Sequence, residues 1–163
     1  MTNSSMIEIF MYQIGQLFLL PILGLVALLF IYALYALGGF SVQALQRRNV
    51  TQGRGFPLLN YVKQNPQASE DELDLFAHKQ LERSRLASRI APMLGLVGTM
   101  IPMGPALKSL SDGNLAQVSG SLMVAFSAVI LALIAASITY WVSNVRCRWL
   151  AEELVSLQKG RAA

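Results

Sequence analysis

The sequence predicts an all-α, polytopic membrane protein with three transmembrane helices, and two observations carry that prediction. The first is composition: 54% of the 163 residues are hydrophobic and only 13% are charged, against about 25% charged in a usual soluble domain. The second is clustering. Residues 9–46, 90–107 and 113–145 contain no Asp, Glu, Lys or Arg, and each stretch is long enough for a helix of about 18–20 residues to cross the hydrocarbon of a bilayer. The length suits a single domain, 1–163.

The remaining chemistry of the chain is sparse. Eight of the 13 basic residues share segment 41–89 with five acidic ones, so the net charge of +4 reads as membrane topology and no nucleic-acid partner is expected. Cys147 is the only cysteine and His78 the only histidine. An internal disulfide and a multi-histidine metal site are therefore excluded. With no phosphate-binding glycine loop either, neither metal nor cofactor is expected.

The first span is placed at 17–37, the densest apolar part of the first uncharged stretch. Residues 1–13 carry no lysine or arginine, which argues against a secretory signal. Tyr32 and Tyr35 near the end, followed by Arg47 and Arg48, suit an interface. Pro21 and Gly24 are tolerated inside a membrane helix. Lacking a long stripe of small residues, this span is expected to be the outer, lipid-facing helix.

Segment 41–89 is the large polar segment. Gly53, Gly55 and Pro57 mark a loop, and Pro66 ends a short apolar piece, Leu58 to Lys63. Ser69-Glu70-Asp71-Glu72 has capping-box spacing. Leu73, Phe76, Ala77 and Leu81 then form one apolar face, expected to pack on a neighbouring helix. No breaker separates Glu72 from Arg89, so this helix is expected to run into the second span. His78 reads as a solvated surface residue.

The second span, 90–110, carries unusual residues for a lipid-facing helix. Gly95, Thr99, Pro102 and Ala106 fall on one face, with Gly98 and Gly104 close by. Small residues let backbones approach closely, and a proline frees a carbonyl that something nearby must satisfy. The residues alone leave two readings open: helix packing only, or a face that also borders a narrow wet path. Ser111-Asp112-Gly113-Asn114 is a turn signal. The third span is placed at 118–142, and within the uncharged residues 113–145 Ser121, Ala125, Ala128, Ala132, Ala135, Thr139 and Ser143 form a second small-residue stripe. Trp141 and Trp149 flank its end. Leu150, Leu154 and Leu157 keep helical spacing into the tail, 143–163, beside the helix that leads into span two.

Twelve basic residues fall in segment 41–89 and the tail, none in residues 1–13 and only Lys108 near the short turn. Positive loops stay inside, so the N-terminus is expected outside and the C-terminus inside, in a multi-pass protein. No ionisable residue lies in the middle of any span, so the chain has no titrating side chain of its own for an ion path. No serine–histidine or carboxylate pair lies within the spans, and no enzymatic activity is expected.

Ala91-Pro92-Met93-Leu94-Gly95-Leu96-Val97-Gly98-Thr99-Met100 resembles the second membrane helix of the ExbB/TolQ/MotA proton-channel family, which reads alanine-proline, leucine-glycine-leucine, then glycine-threonine. Ser121 to Val142 resembles the family's third helix more loosely, and the order of the spans is similar. The resemblance implies an inner-membrane channel subunit of a proton-motive-force-driven motor. It further implies a ring, five copies in the family, around a single-span ExbD/TolR-like partner that bears an aspartate.

Residue by residue, the resemblance carries over Thr99, with a pore-lining role, and Pro92; with Pro92, the small-residue faces give Gly95, Gly98, Pro102, Ala125, Ala128 and Ala132 a packing role. Span three departs from the family. Phe126 stands where ExbB/TolQ members have threonine, with Ser127 beside it, and Ser121 where a glutamate is frequent. Phe126, Ser127 and Ser121 join Thr99 as candidate lining residues. The departures leave a second reading: a non-conducting membrane scaffold that keeps the ring.

Overall fold

A computed structural model describes the backbone of residues 2–48, 56–65 and 70–162. All four elements are helices: α1 (Thr2–Arg48), α2 (Pro57–Gln64), α3 (Glu70–Ser111) and α4 (Leu115–Ala162). Three of them, α1, α3 and α4, are long and apolar enough to cross a membrane. At about 1.5 Å per residue, each is about twice as long as the roughly 30 Å hydrocarbon core requires. Prolines do not end them: Pro21 lies within α1, and Pro92, Pro102 and Pro105 lie within α3. The second span and the helix before it are thus one continuous element, as their lack of a breaker predicted. Ser69 and its capping box, Gly53, Gly55 and Pro66 lie outside the described residues.

Pro57 opens α2 instead of belonging to a loop. Its fixed φ suits the first helical turn, where its missing N–H costs no hydrogen bond. The apolar piece Leu58–Lys63 is thereby a helix, with Leu58 wholly buried. The expected turn between spans two and three closes as a Schellman motif. The Asn114 N–H bonds the Ser109 carbonyl at 2.9 Å and the Gly113 N–H bonds that of Leu110 at 3.1 Å. Gly113 has φ +73°, a left-handed conformation that glycine adopts without a Cβ clash. The Asn114 side-chain oxygen then accepts the Gln117 N–H at 3.2 Å, capping α4.

The contacts fall into two compact units: Met1–Tyr32 with Arg89–Ala136, and Ala33–Ser88 with Ser137–Ala163. The first unit has a core of small residues, among them Ala91, Ala106, Ala125, Ala128 and Ala132, with Val26 from α1. The second has a core of large ones. Leu58, Leu73, Ala77, Leu81 and Leu150 cluster with Phe76, Leu154 and Leu157 packed against them. The apolar faces read at 73–81 and 150–157 therefore meet each other, together with α2. Of the three apolar windows, that of α1 is the least buried, at 11% against 28% and 33%. This fits the outer place expected for it.

Candidate ion path

The first unit is organised by a seam between α3 and α4. In α3, Ala91, Gly95, Gly98, Pro102 and Ala106 are buried at helical spacing; in α4, Ala125, Ala128, Ala132 and Ala135 are. The helices touch nearly backbone to backbone. A Cβ added at Gly95 would stand 2.7 Å from the Ala132 Cβ, closer than carbon atoms pack, so only glycine fits there. At Gly98 the added carbon would lie 3.2 Å from the Ala128 Cβ and 3.9 Å from Ile22, so α1, α3 and α4 meet at this residue. Near the end of α3, the Tyr12 ring comes within 3.7 Å of the equivalent point at Gly104. Pro92 is half-buried.

Of the four candidate lining residues, Thr99 and Ser121 border this seam, whereas Ser127 and Phe126 lie away from it on exposed faces of α4. Thr99 adjoins Gly98 and is half-buried, and its hydroxyl donates to the Leu96 carbonyl at 2.7 Å. Its partner is thus the carbonyl three residues back on its own helix. Ser121 continues the buried alanine stripe and is half-buried. Ser127 is exposed and donates to the Met123 carbonyl at 2.8 Å. Phe126 is 59% exposed, and it stands about 100° around α4 from Ser127. Thr99 and Ser127 both spend their proton on their own helix, yet each hydroxyl oxygen keeps lone pairs able to accept another hydrogen bond.

The second unit holds polar chemistry that a reading of the sequence passes over. Glu153 is buried and receives two groups: the Arg47 guanidinium in an ion pair and the Leu58 N–H at 3.0 Å. Phe56 offers α2 no side-chain cap, so Glu153 supplies one from 95 positions away. The Arg47 guanidinium lies 4.7 Å from the Phe56 ring centroid and 4.6 Å from that of Trp149, a favourable cation–π arrangement. Phe40 stacks on Trp149 and meets Trp141 edge-on, both at 5.1 Å. A sequence signal existed: Glu153 sits three residues after Leu150, inside the apolar stripe. His78 is exposed, at the rim of a cleft of about 120 Å³ that Arg85 and Cys147 also line. Arg85 donates to the Cys147 sulfur at 3.2 Å. Among the described residues, no group of three or more His, Cys, Asp or Glu can hold a metal ion.

Residues 62–159, more than half of the chain, match the model of the MotA/TolQ/ExbB proton channel family. The match takes in all of α3 and nearly all of α4, the two helices of the seam. No individual curated protein and no solved structure matches the chain. A glycine–alanine seam between two uncharged spans, a threonine beside it and a family match over both helices agree, and the chain belongs to the MotA/TolQ/ExbB proton channel family.

Proposed function

We propose that this chain is the ring-forming subunit of a proton channel in the cytoplasmic membrane, part of a motor driven by the proton-motive force. The observation that carries the reading is a mismatch. The chain has the channel family's seam and threonine, but residues 90–107 and 113–145 hold no acid or base. Proton passage through a membrane needs a group that titrates or an unbroken line of water. A second protein therefore supplies the acid, and a single-span ExbD/TolR-like partner with a membrane aspartate fits that need. A bare carboxylate in hydrocarbon costs about 3 kcal/mol even on mild scales. Thr99 and Ser127 lower that cost: their oxygens accept from the protonated acid, and their hydroxyls turn to donate to the carboxylate. Five copies around the partner follow from the family resemblance.

The orientation has the N-terminus outside and segment 41–89 and the tail inside, supported by the distribution of basic residues. An impermeant thiol reagent should label Cys147 in inverted vesicles and not in intact cells; labelling from outside overturns the orientation. A scaffold without conduction is the second reading, favoured by the exposed Phe126 ring. If it faces the lumen, that ring helps form a dewetted constriction. No enzymatic role is proposed. Proton flux into reconstituted vesicles, with and without the co-expressed partner, separates the two readings. Partner-dependent flux supports the channel, and equal background flux in both supports the scaffold.

A further inference from the structure

The seam explains why one face of α3 and one of α4 are buried; it leaves the opposite faces. In the second unit, α3 buries Leu73, Ala77 and Leu81 and exposes Leu75, Lys79, Glu82 and Leu86. The exposed set recurs at intervals of 4, 3 and 4, one helical face directly opposite the buried one. Leu75 is 55% and Leu86 56% exposed. In α4, Leu150 and Glu153 are among the buried residues, and Asn144, Arg148, Glu152 and Val155 are exposed on the opposite face. Val155 is 50% exposed.

These two outer faces are complementary in a particular order. Taken along α3, the first reads apolar, positive, negative, apolar: Leu75, Lys79, Glu82, Leu86. Taken backwards along α4, the second reads apolar, negative, positive, polar: Val155, Glu152, Arg148, Asn144. The level of one helix against the other is given within the chain, where Arg85 bonds Cys147. The same cleft is lined by Leu81 and His78 from α3 and by Leu150 and Leu154 from α4, in keeping with antiparallel helices joined by a short turn. Stepping equally from Arg85 and Cys147, Glu82 stands level with Leu150, Lys79 with Glu153 and Leu75 with Leu157. Arg148, Glu152 and Val155 each lie only one or two residues from those levels, about 3 Å or less along the axis, and all in the same direction.

Copies of a membrane chain share one orientation in the bilayer, so a neighbouring copy stands at the same height. We infer that the outer face of α3 in one copy docks on the outer face of α4 in the next. Lys79 then meets Glu152, Glu82 meets Arg148, and Leu75 packs on Val155. The contact is heterologous, because two different faces meet, and such a contact repeats into a ring where its rotation closes. The inference rests on the ring reading and adds to it the partner surface and its register.

Disulfide trapping tests the docking. In a Cys147→Ser background, differently tagged chains carrying Leu75→Cys and Val155→Cys are co-expressed and oxidised mildly in the membrane. A mixed dimer is expected only when both variants are present, and one chain carrying both cysteines should give a ladder of multimers. A second arm keeps Cys147 and reads assembly by native mass spectrometry. Lys79→Glu should raise the concentration for half-assembly by about tenfold, through like-charge contact with Glu152, and adding Glu152→Lys should restore it. This arm decides if Cys147→Ser fails to assemble. A native oligomer that gives no mixed dimer, or whose charge reversals have no effect, overturns the docking and leaves the ring standing. A native protein that is only monomeric overturns both.

Discussion

The two units of this protein solve the packing of long helices in opposite ways. One brings helices together by taking side chains away: Gly95, Gly98, Ala128 and Ala132 leave so little between α3 and α4 that an added methyl at Gly95 collides. The other holds helices apart and fills the space with Leu58, Leu73, Leu81, Leu150 and a buried ion pair. The difference follows from the solvent each composition suits. Lipid tails are as apolar as leucine, so burying leucine in a bilayer gains little and close contact between small residues gains more. In water, burying large apolar side chains is the main driving force. The first unit should therefore fail when atoms are added and the second when they are removed.

The largest effect is expected at Glu153. Glu153→Ala leaves the Arg47 guanidinium mostly buried without its carboxylate and strips the cap from α2. Breaking a buried pair from one side costs about 3–5 kcal/mol. The loss should appear as a lower unfolding midpoint in denaturant titrations of the detergent-solubilised protein. The double change Arg47→Met with Glu153→Leu should recover much of it, since a matched apolar pair leaves no orphaned charge. If the double variant is no better than the single one, the ion pair is not the reason for the loss.

The seam comes next. Gly95→Ala should cost about 1–3 kcal/mol, the usual range for overpacking. Gly98→Ala should cost less, because its added carbon clears Ala128 by half an ångström more. Equal costs at the two glycines, measured by thermal melting, would contradict the seam geometry.

The contrast also explains how much could be read in advance. The seam was legible because it is local: Gly95, Pro102 and Ala106 repeat at helical spacing, as do Ala125, Ala128, Ala132 and Ala135, and such spacing reports a face directly. The leucine faces at 73–81 and 150–157 were legible for the same reason. The Arg47–Glu153 pair was not, since the partners lie 106 positions apart and nothing local names the pairing. Nor was the opening of α2: Pro57 marks turns and first helical turns alike, and the cap that favours a helix comes from a distant carboxylate. Which carbonyl Thr99 would hold was not legible either, because a threonine on a helix reaches back either three or four residues.

The smallest structural effect, and the one most tied to function, is expected at Thr99. Thr99→Val removes a hydroxyl bonded only to Leu96 within its own helix, so the melting temperature should hardly move. Under the channel reading, loss of a hydrogen bond to a charged partner is worth about 1.5–3 kcal/mol, roughly tenfold or more in proton flux. Unchanged flux with an intact oligomer would make Thr99 a packing residue.

The Schellman turn at Gly113 bears on how the chain enters its membrane. With only Asp112 to Asn114 between them, α3 and α4 form a hairpin too short to allow independent insertion. In the proposed orientation, the tip that must cross the hydrocarbon carries two charges, Lys108 and Asp112, of opposite sign. The Asp112 N–H already bonds the Lys108 carbonyl at 3.1 Å; backbone bonds close the α3 end of the turn and the Asn114 side chain caps the α4 end. A tip whose peptide groups are already bonded costs less to translocate than an open loop of the same length. The pair of helices that carries the seam is thus joined as one tight hairpin, which suits it to cross as a unit and keeps Gly95 and Gly98 close to Ala132 and Ala128.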